Sequence, residues 1–242
     1  MFSQIQEAVS NSPILNIERK GKNILIHLKN KNTILIHMKM TGHLLYGKYR
    51  KVNPKSQTPD SKKIQNSKYK NDVWAPLDEG PLQDPFNRHI RLVFELSNGR
   101  HLAFSDMRKF AKVMFIKTKE LEQHSDLSLI APDPFELSEK EFVERIKSKK
   151  SGRIKNVLMD QTLISGIGNI YSDETLFATG LHPETDISAL SDKKLREIYK
   201  EAKEVLKKGI NFGGDSTSDY RNIKGERGDF QNKHNVYRKT GE

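Results

Sequence analysis

Two short segments carry residue types and spacings that can bind phosphate or a nucleobase. In Ser165-Gly166-Ile167-Gly168-Asn169-Ile170-Tyr171, two glycines let the backbone turn tightly and come close to a ligand. Asn169 stands where the next helix is predicted to start and can cap it; the free N–H groups and positive dipole end of a helix start suit a phosphate. A ligand-free turn between two helices uses the same glycines, so this segment alone leaves both readings open. Ser105-Asp106-Met107-Arg108-Lys109-Phe110 places Arg and Phe at a turn between strands. Arginine can reach a phosphate or stack on a base, and phenylalanine can wedge between base steps. An arginine on a solvated turn beside a core phenylalanine is the alternative. Lys22 follows Gly21 where the first strand is predicted to begin, and His37, Met40 and Gly42 lie at the end of the next. A lone His or Met at such a place is as easily structural. Lys147, Lys149, Lys150, Arg153 and Lys155 form a basic run, either a solvated face or a phosphate footprint.

These residues need elements to hold them, and the two halves of the chain supply different kinds. Ile24-Leu25-Ile26-His27-Leu28 and Ile34-Leu35-Ile36-His37-Met38 flank the polar turn Lys29-Asn30-Lys31-Asn32 and predict a hairpin. Residues 90–96 and 100–104 flank Ser97-Asn98-Gly99 and predict another, with a further strand at Val113-Met114-Phe115-Ile116. Between the hairpins, residues 47–88 are rich in Lys, Asn, Ser, Asp and Pro, without period, and are expected to be a mobile insertion. Trp74 is either its anchor or simple packing. After Pro132-Asp133-Pro134 the pattern turns helical. Ser138 and Glu141 form a capping-box pair before Phe142, Val143 and Ile146. Helices are predicted near 154–160, from about Asn169, and after Ser191-Asp192, where Leu195, Ile198, Tyr199, Ala202, Val205 and Leu206 recur at helical spacing. In the polar tail, Phe230 and Val236-Tyr237 are candidate short strands. The expected class is α+β, with a β domain over residues 1–130 and a helical domain over 131–242.

Charge points to the partner. The chain has 42 Lys+Arg against 31 Asp+Glu, a net +11, which favours polyanions or an acidic membrane surface. It has no cysteine, which excludes disulfides, thiolate metal ligands and cysteine nucleophiles among these residues. No apolar run approaches the ~18–20 residues of a membrane span, and the first residues lack the pattern of a secretory signal. The expected location is cytoplasmic.

Taken in order, six stretches resemble the bacterial formamidopyrimidine-DNA glycosylase family, which shares a fold with endonuclease VIII. They are Arg19-Lys20-Gly21-Lys22, His37-Met38-Lys39-Met40-Thr41-Gly42, Ser105 to Phe110, Ile154 to Gln161, Gly166 to Tyr171, and Gly213-Gly214. The resemblance implies a β-sandwich domain joined to a helix-two-turn-helix domain, with double-stranded DNA in a basic cleft and the damaged base flipped out. Lys22 matches a lysine that holds a phosphate near the lesion and donates a proton in β-elimination. His37 and Asn169 match phosphate contacts; His89, Arg108 and Lys150 match DNA-binding positions; Lys155 lies in a matching stretch. Met40, Arg108 and Phe110 match the three side chains that fill the gap left by the flipped base. Residues 214–220 match a flexible loop that closes over that base.

The implied function is a base-excision repair glycosylase and AP lyase for oxidised purines, such as 8-oxoguanine and formamidopyrimidine, acting as a nucleoid-associated monomer on DNA with oxidised bases or abasic sites. Family enzymes begin, after Met removal, with Pro-Glu-Leu-Pro-Glu, whose proline amine is the nucleophile; an α-amino group suits this because its pKa is only about 8. This sequence begins Met1-Phe2-Ser3 and stops before the cysteines of the family's zinc finger. The expectation is therefore a chain truncated at both ends, with an incomplete β-sandwich, an unpaired sheet edge and no metal cofactor. A noncatalytic damaged-DNA-binding relative is the alternative function. An RNA- or ribosome-binding module would share the charge but would not need the Met40, Arg108 and Phe110 set.

Overall fold

Alternation and β-branching produce a run of antiparallel strands, and helical periodicity takes over after residue 138, giving an α+β fold with its sheets N-terminal to its helices. The computed structural model describes residues 6–7, 9–53, 73–217 and 219–239. Their contacts group into two compact units: Met1–His37, Lys112–Asn211 and Asn232–Glu242 form one, Met38–Ala111 and Phe212–Gln231 the other. These units are grouped in space, whereas the division at residue 130 is one along the chain.

In the first unit, β1 (Ile14–Lys20), β2 (Asn23–Leu28), β3 (Asn32–His37) and β9 (Lys112–Lys117) form one antiparallel sheet in the order β1-β2-β3-β9. The nearly continuous apolar runs of β2 and β3 suit central strands, and Leu25, Leu35 and Ile116 pack with Leu121 and Leu127. Among the described residues β1 pairs with β2 alone, with an irregularity between Ile14 and Asn16, and exposes Ile14, Leu15 and Ile17.

The same unit holds α1 (Glu139–Lys147), α2 (Ile154–Met159), α3 (Asn169–Ala178) and α4 (Asp192–Asn211). Ser138 and Glu141 make the predicted capping box, which satisfies two otherwise orphaned N–H groups. Phe142, Ile146, Ile154, Leu158, Ile167, Leu176, Leu195 and Ile198 form the helical core. Tyr199 closes it by donating to the Leu137 carbonyl at 2.6 Å, with its ring 5.2 Å from that of Phe142. Between α2 and α3 the chain makes successive turns. Buried Glu174 on α3 accepts from the N–H groups of Asn235, Val236 and Tyr237 at 2.8, 3.1 and 3.0 Å. Burial alone would raise this carboxyl, but those donors outweigh it and hold it below the usual range.

The second unit contains the sheet β4-β8-β7, built from β4 (Gly42–Gly47), β8 (His101–Asp106) and β7 (Ile90–Glu95), and a two-stranded ribbon of β5 (Tyr49–Val52) and β6 (Val73–Pro76). The stretch 47–88, expected to be a mobile insertion throughout, is ordered at both flanks, which form this ribbon and the 3-10 turns Pro81–Gln83 and Pro85–Arg88; residues 54–72 lie outside the described residues. Trp74 pairs in register with Lys51 and tilts onto His101 at 5.5 Å, so it packs into this unit. The tail differs from the two short strands expected there. Phe230–Lys233 is a turn of 3-10 helix with Phe230 buried, and Val236-Tyr237 is a turn held by Glu174. Their backbone groups bond to side chains and nearby turns, so no ladder forms.

An edge strand that displays apolar side chains invites pairing with other chains. Leu15→Lys is expected to leave thermal stability within about 0.5 kcal/mol while lowering concentration-dependent association measured by light scattering. Unchanged association would show that β1 is not an adhesive edge.

Candidate functional site

In the first unit a tight turn delivers Lys22. Arg19 pairs with the buried carboxylate of Asp133 and donates to the Gly21 carbonyl at 3.0 Å. Gly21 has φ +57°, and a Cβ there would come within 3.0 Å of Ile130, so both conformation and space favour glycine. The Lys22 ammonium then donates to the Ile167 carbonyl at 2.8 Å. The same carbonyl accepts from Gln161 Nε2 at 2.9 Å, and Gln161 Oε1 accepts from the Gly166 N–H at 3.0 Å. One glutamine thus shapes the Gly166-Ile167-Gly168 turn and shares its central acceptor with Lys22. A Cβ on Gly168 would sit 3.3 Å from Lys22 Nζ.

Lys22 and exposed Asn169 are therefore brought to the same helix start. Asn169 is the first residue of α3, and the N-cap is Gly168, with no side-chain capping bond. This corrects the capping role expected of Asn169: the turn reaches extended backbone one residue earlier, at Gly168. The start of α3 places the positive end of a helix dipole beside an ammonium, an arrangement that can hold an anion.

Other predicted residues of this unit lie elsewhere. His37 ends β3, opposite Lys112 on one side and Asn23 on the other. Lys155, on α2, pairs with Asp173 of α3 at 2.7 Å. Lys147, Lys149 and Arg153 pair with Asp192, Asp160 and Glu184. Lys150 is exposed and has no ion pair among the described residues.

In the second unit Met40, Arg108 and Phe110 are brought together. Arg108 Nη1 lies 3.4 Å from Met40 Sδ, and its guanidinium stacks 4.8 Å from the Phe110 ring centre. All three are exposed, Met40 by 69% and Phe110 by 58%. Exposed apolar groups fixed around a cation form a surface wedge rather than a core. This excludes the alternative of a core phenylalanine at 110. The turn is held by Asp106, which accepts from Thr41 Oγ1, from the Arg108 N–H at 3.2 Å and from the Ala111 N–H at 3.0 Å. His89 begins just before β7, and its carbonyl accepts from the Asp106 N–H at 3.0 Å. Burial, then the charges of Arg88 and Arg91, hold the His89 imidazole below its ordinary value.

The loop at 212–231 is tethered within this unit. Buried Arg221 pairs with Asp84 at 3.0 Å and stacks on Phe86 at 4.7 Å. His43 Nε2 bonds Asn87 Oδ1 at 3.0 Å, and Asn87 Nδ2 donates to the carbonyls of Pro81 and Gly225 at 2.9 and 3.3 Å. Ser216 Oγ donates to the Tyr220 carbonyl at 2.7 Å and accepts from the Gly228 N–H at 2.8 Å. Ser218, near its tip, lies outside the described residues.

Sequence reading missed Gln161, Asp106, Thr41 and His43. The first three stood inside the motifs already singled out, but nothing local showed which distant groups they meet. The thiolates of the implied zinc finger have no counterpart among these cysteine-free residues, so no step below runs through a metal.

A β-sheet unit joined to a helix, two turns and a helix, with a lysine at the second helix start, defines a class of helix-two-turn-helix proteins. The profile of the Formamidopyrimidine-DNA glycosylase N-terminal domain matches residues 2–113, and that of the Formamidopyrimidine-DNA glycosylase H2TH domain matches residues 130–221. The Formamidopyrimidine-DNA glycosylase of Desulfitobacterium hafniense (strain DSM 10664 / DCB-2) is 34% identical over 238 residues, covering 98% of this chain and 74% of its own. That of Mycoplasma mobile is 32% identical over 236 residues, 98% of this chain and 74% of its own. Among solved structures, the complex between the Lactococcus lactis Fpg and an abasic-site-containing DNA superposes with a TM-score of 0.76 at 28% identity, covering all of this chain and 76% of that one. The MutM (Fpg) protein of Thermus thermophilus gives 0.73 at 28%, covering 97% and 75%. The chain belongs to the formamidopyrimidine-DNA glycosylase family.

The His43 network has a pH signature. Burial first, and the Arg221 charge, depress the imidazole, although its bonds to Asn87 and the Thr41 carbonyl and the Asp219 charge oppose this. The folded protein therefore takes up a proton on this ring less readily than the unfolded chain, whose imidazole titrates at about 6.5. The stabilisation is therefore complete above that pH and is lost as pH falls through the depressed folded value. His43→Gln is expected to flatten the fall of Tm between about pH 7 and 5. An unaltered pH profile in the variant would count against His43 as its source.

Proposed function

We propose that this protein is a base-excision repair glycosylase and AP lyase acting on oxidised purines in double-stranded DNA, and that residues 1–242 supply its grip on DNA and its sensing of a vacated base position. The exposed cluster of Met40, Arg108 and Phe110 carries this reading. A soluble surface gains little from two fixed apolar side chains around an arginine unless something apolar docks there. Extruding a base costs a few kcal/mol of stacking, and apolar wedges backed by an arginine offset that loss. The relative from Lactococcus lactis, solved with abasic-site and with Fapy-dG DNA, has the same fold, which supports duplex DNA as the partner.

The Lys22 ammonium and the start of α3 take a phosphate near the lesion, with Asn169 beside them. The same ammonium, next to the sugar, supplies a proton in β-elimination. His37, His89 and Lys150 add contacts along the backbone, in the roles the family resemblance implies, while Lys155 stays with Asp173 and holds α2 to α3. Residues 214–220 close over the extruded base from the tether at Ser216 and Arg221. A single copy suffices, since each contact comes from one chain.

The nucleophile of this reading is the N-terminal proline amine that the family resemblance implies. In gel-shift titrations, the polypeptide is expected to prefer a duplex with a tetrahydrofuran abasic analogue over undamaged duplex and over RNA. Equal binding to all three would sink the recognition reading. Lys22→Ala is expected to weaken binding to every duplex and to reduce the slope of log K against log salt by about one. An unchanged slope would remove Lys22 from the phosphate contact.

A further inference from the structure

We propose that Asp106 is the positioning residue that sets Met40, Arg108 and Phe110 as a single wedge, a role that rests on the recognition reading above. The three side chains come from two turns far apart in sequence. Thr41, next to Met40, donates its hydroxyl to Asp106 Oδ1. The Arg108 N–H lies 3.2 Å from the same oxygen and 3.2 Å from Thr41 Oγ1, and the Ala111 N–H donates to Oδ2 at 3.0 Å. Both turns therefore converge on one carboxylate that is only 2% exposed.

Strain makes this convergence necessary. Lys39 precedes Met40 with φ +53°, and Lys109 lies between Arg108 and Phe110 with φ +60°. Neither is glycine, so each turn holds its tip in a region that L residues disfavour and needs outside bonds to stay there. Packing adds to the constraint. Gly42 pairs with Asp106 across the ladder, and a Cβ on Gly42 would come within 2.5 Å of the Met38 carbonyl and 3.2 Å of Ala111. The main chain of Asp106 is tied as well: its N–H donates to the His89 carbonyl, and its carbonyl accepts from Arg91 Nε at 2.9 Å. Burial alone would raise the Asp106 carboxyl, yet Thr41 and the N–H groups of Ala111, Lys109 and Arg108 keep it below the usual range. The acceptor is thus a carboxylate, and charge-assisted bonds are stronger than neutral ones. Asn at this position would turn one acceptor into a donor facing an N–H.

The test uses the whole chain with Asp106→Asn, Thr41→Val and Thr41→Ser, and two readouts. The first is the 13C ε-methyl resonance of Met40, with those of Met114 and Met159 as internal controls. The second is the ratio of affinities for a tetrahydrofuran-containing duplex and an undamaged duplex, with its salt dependence. Asp106→Asn and Thr41→Val are expected to shift the Met40 methyl alone and to cut the affinity ratio about tenfold, with the salt slope unchanged. Thr41→Ser, which keeps the hydroxyl, is expected to retain both. A change in the salt slope equal to the loss of affinity would mean a general structural role and would overturn the proposal. So would an unmoved Met40 methyl together with an intact ratio. If Asp106→Asn does not fold, the Thr41 pair decides the question. If the wild-type chain shows no preference for the abasic analogue, the recognition reading fails, and the Met40 resonance still decides whether Asp106 positions the cluster.

Discussion

The first unit depends on one carbonyl. Ile167 C=O accepts from the Lys22 ammonium and from the Gln161 amide, so both of its lone pairs are engaged. This links the β1–β2 turn to the turns between α2 and α3, two regions 145 residues apart. It also creates a tension. A cation next to a helix N-terminus faces the positive end of the dipole, which disfavours it. The carbonyl relieves part of this; an anion placed between ammonium and helix start would relieve the rest. The sequence keeps a lysine where the fold alone would favour an acid, and this is the reason to read the place as an anion site.

The second unit uses the opposite charge to similar effect. Asp106 gathers a hydroxyl and backbone N–H groups into a small cradle, so a buried negative charge is satisfied without a cationic partner. His43 and Asn87 tie the 81–88 segment to Gly225, and Arg221 is buried against Asp84 and Phe86. Breaking one member of such a pair leaves a buried charge uncompensated, which is more costly than never having the pair. The 213–220 stretch is in turn bonded to the residues that follow it: Gly214 accepts from the Phe230 N–H, and Ser216 bonds to Arg227, Gly228 and Gln231.

Legibility in the sequence followed the range of the interaction. Strands β2, β3, β7, β8 and β9 and helices α1 and α4 announce themselves through apolar patterning, which depends only on near neighbours. β1 did not, because its residues mix polar and apolar types on an exposed edge. β4 did not either, because a glycine stands at each of its ends. Phe230 looked like a strand residue because an isolated buried aromatic carries no period. The wedge residues were visible through family resemblance, but their support was not: Thr41 and Asp106 lie 65 positions apart, and no local pattern marks a hydrogen bond of that span.

The basic run from Lys147 to Lys155 shows why the two readings offered for it are not exclusive. Four of its five cations are matched with acids on neighbouring segments, as a solvated structural face would be. Exposed pairs of this kind are worth only about 0–1 kcal/mol each. The Lys147–Asp192 and Arg153–Glu184 side chains are more than half exposed, so they sit at this weak end. A polyanion with closely spaced phosphates competes easily for such cations, since each phosphate contact also releases condensed counterions. Lys155–Asp173 is different: both partners are largely buried, the distance is 2.7 Å, and it binds α2 to α3. That lysine is more costly to divert, so within the run the exposed cations are the ones a DNA backbone can recruit without loosening the helices beneath.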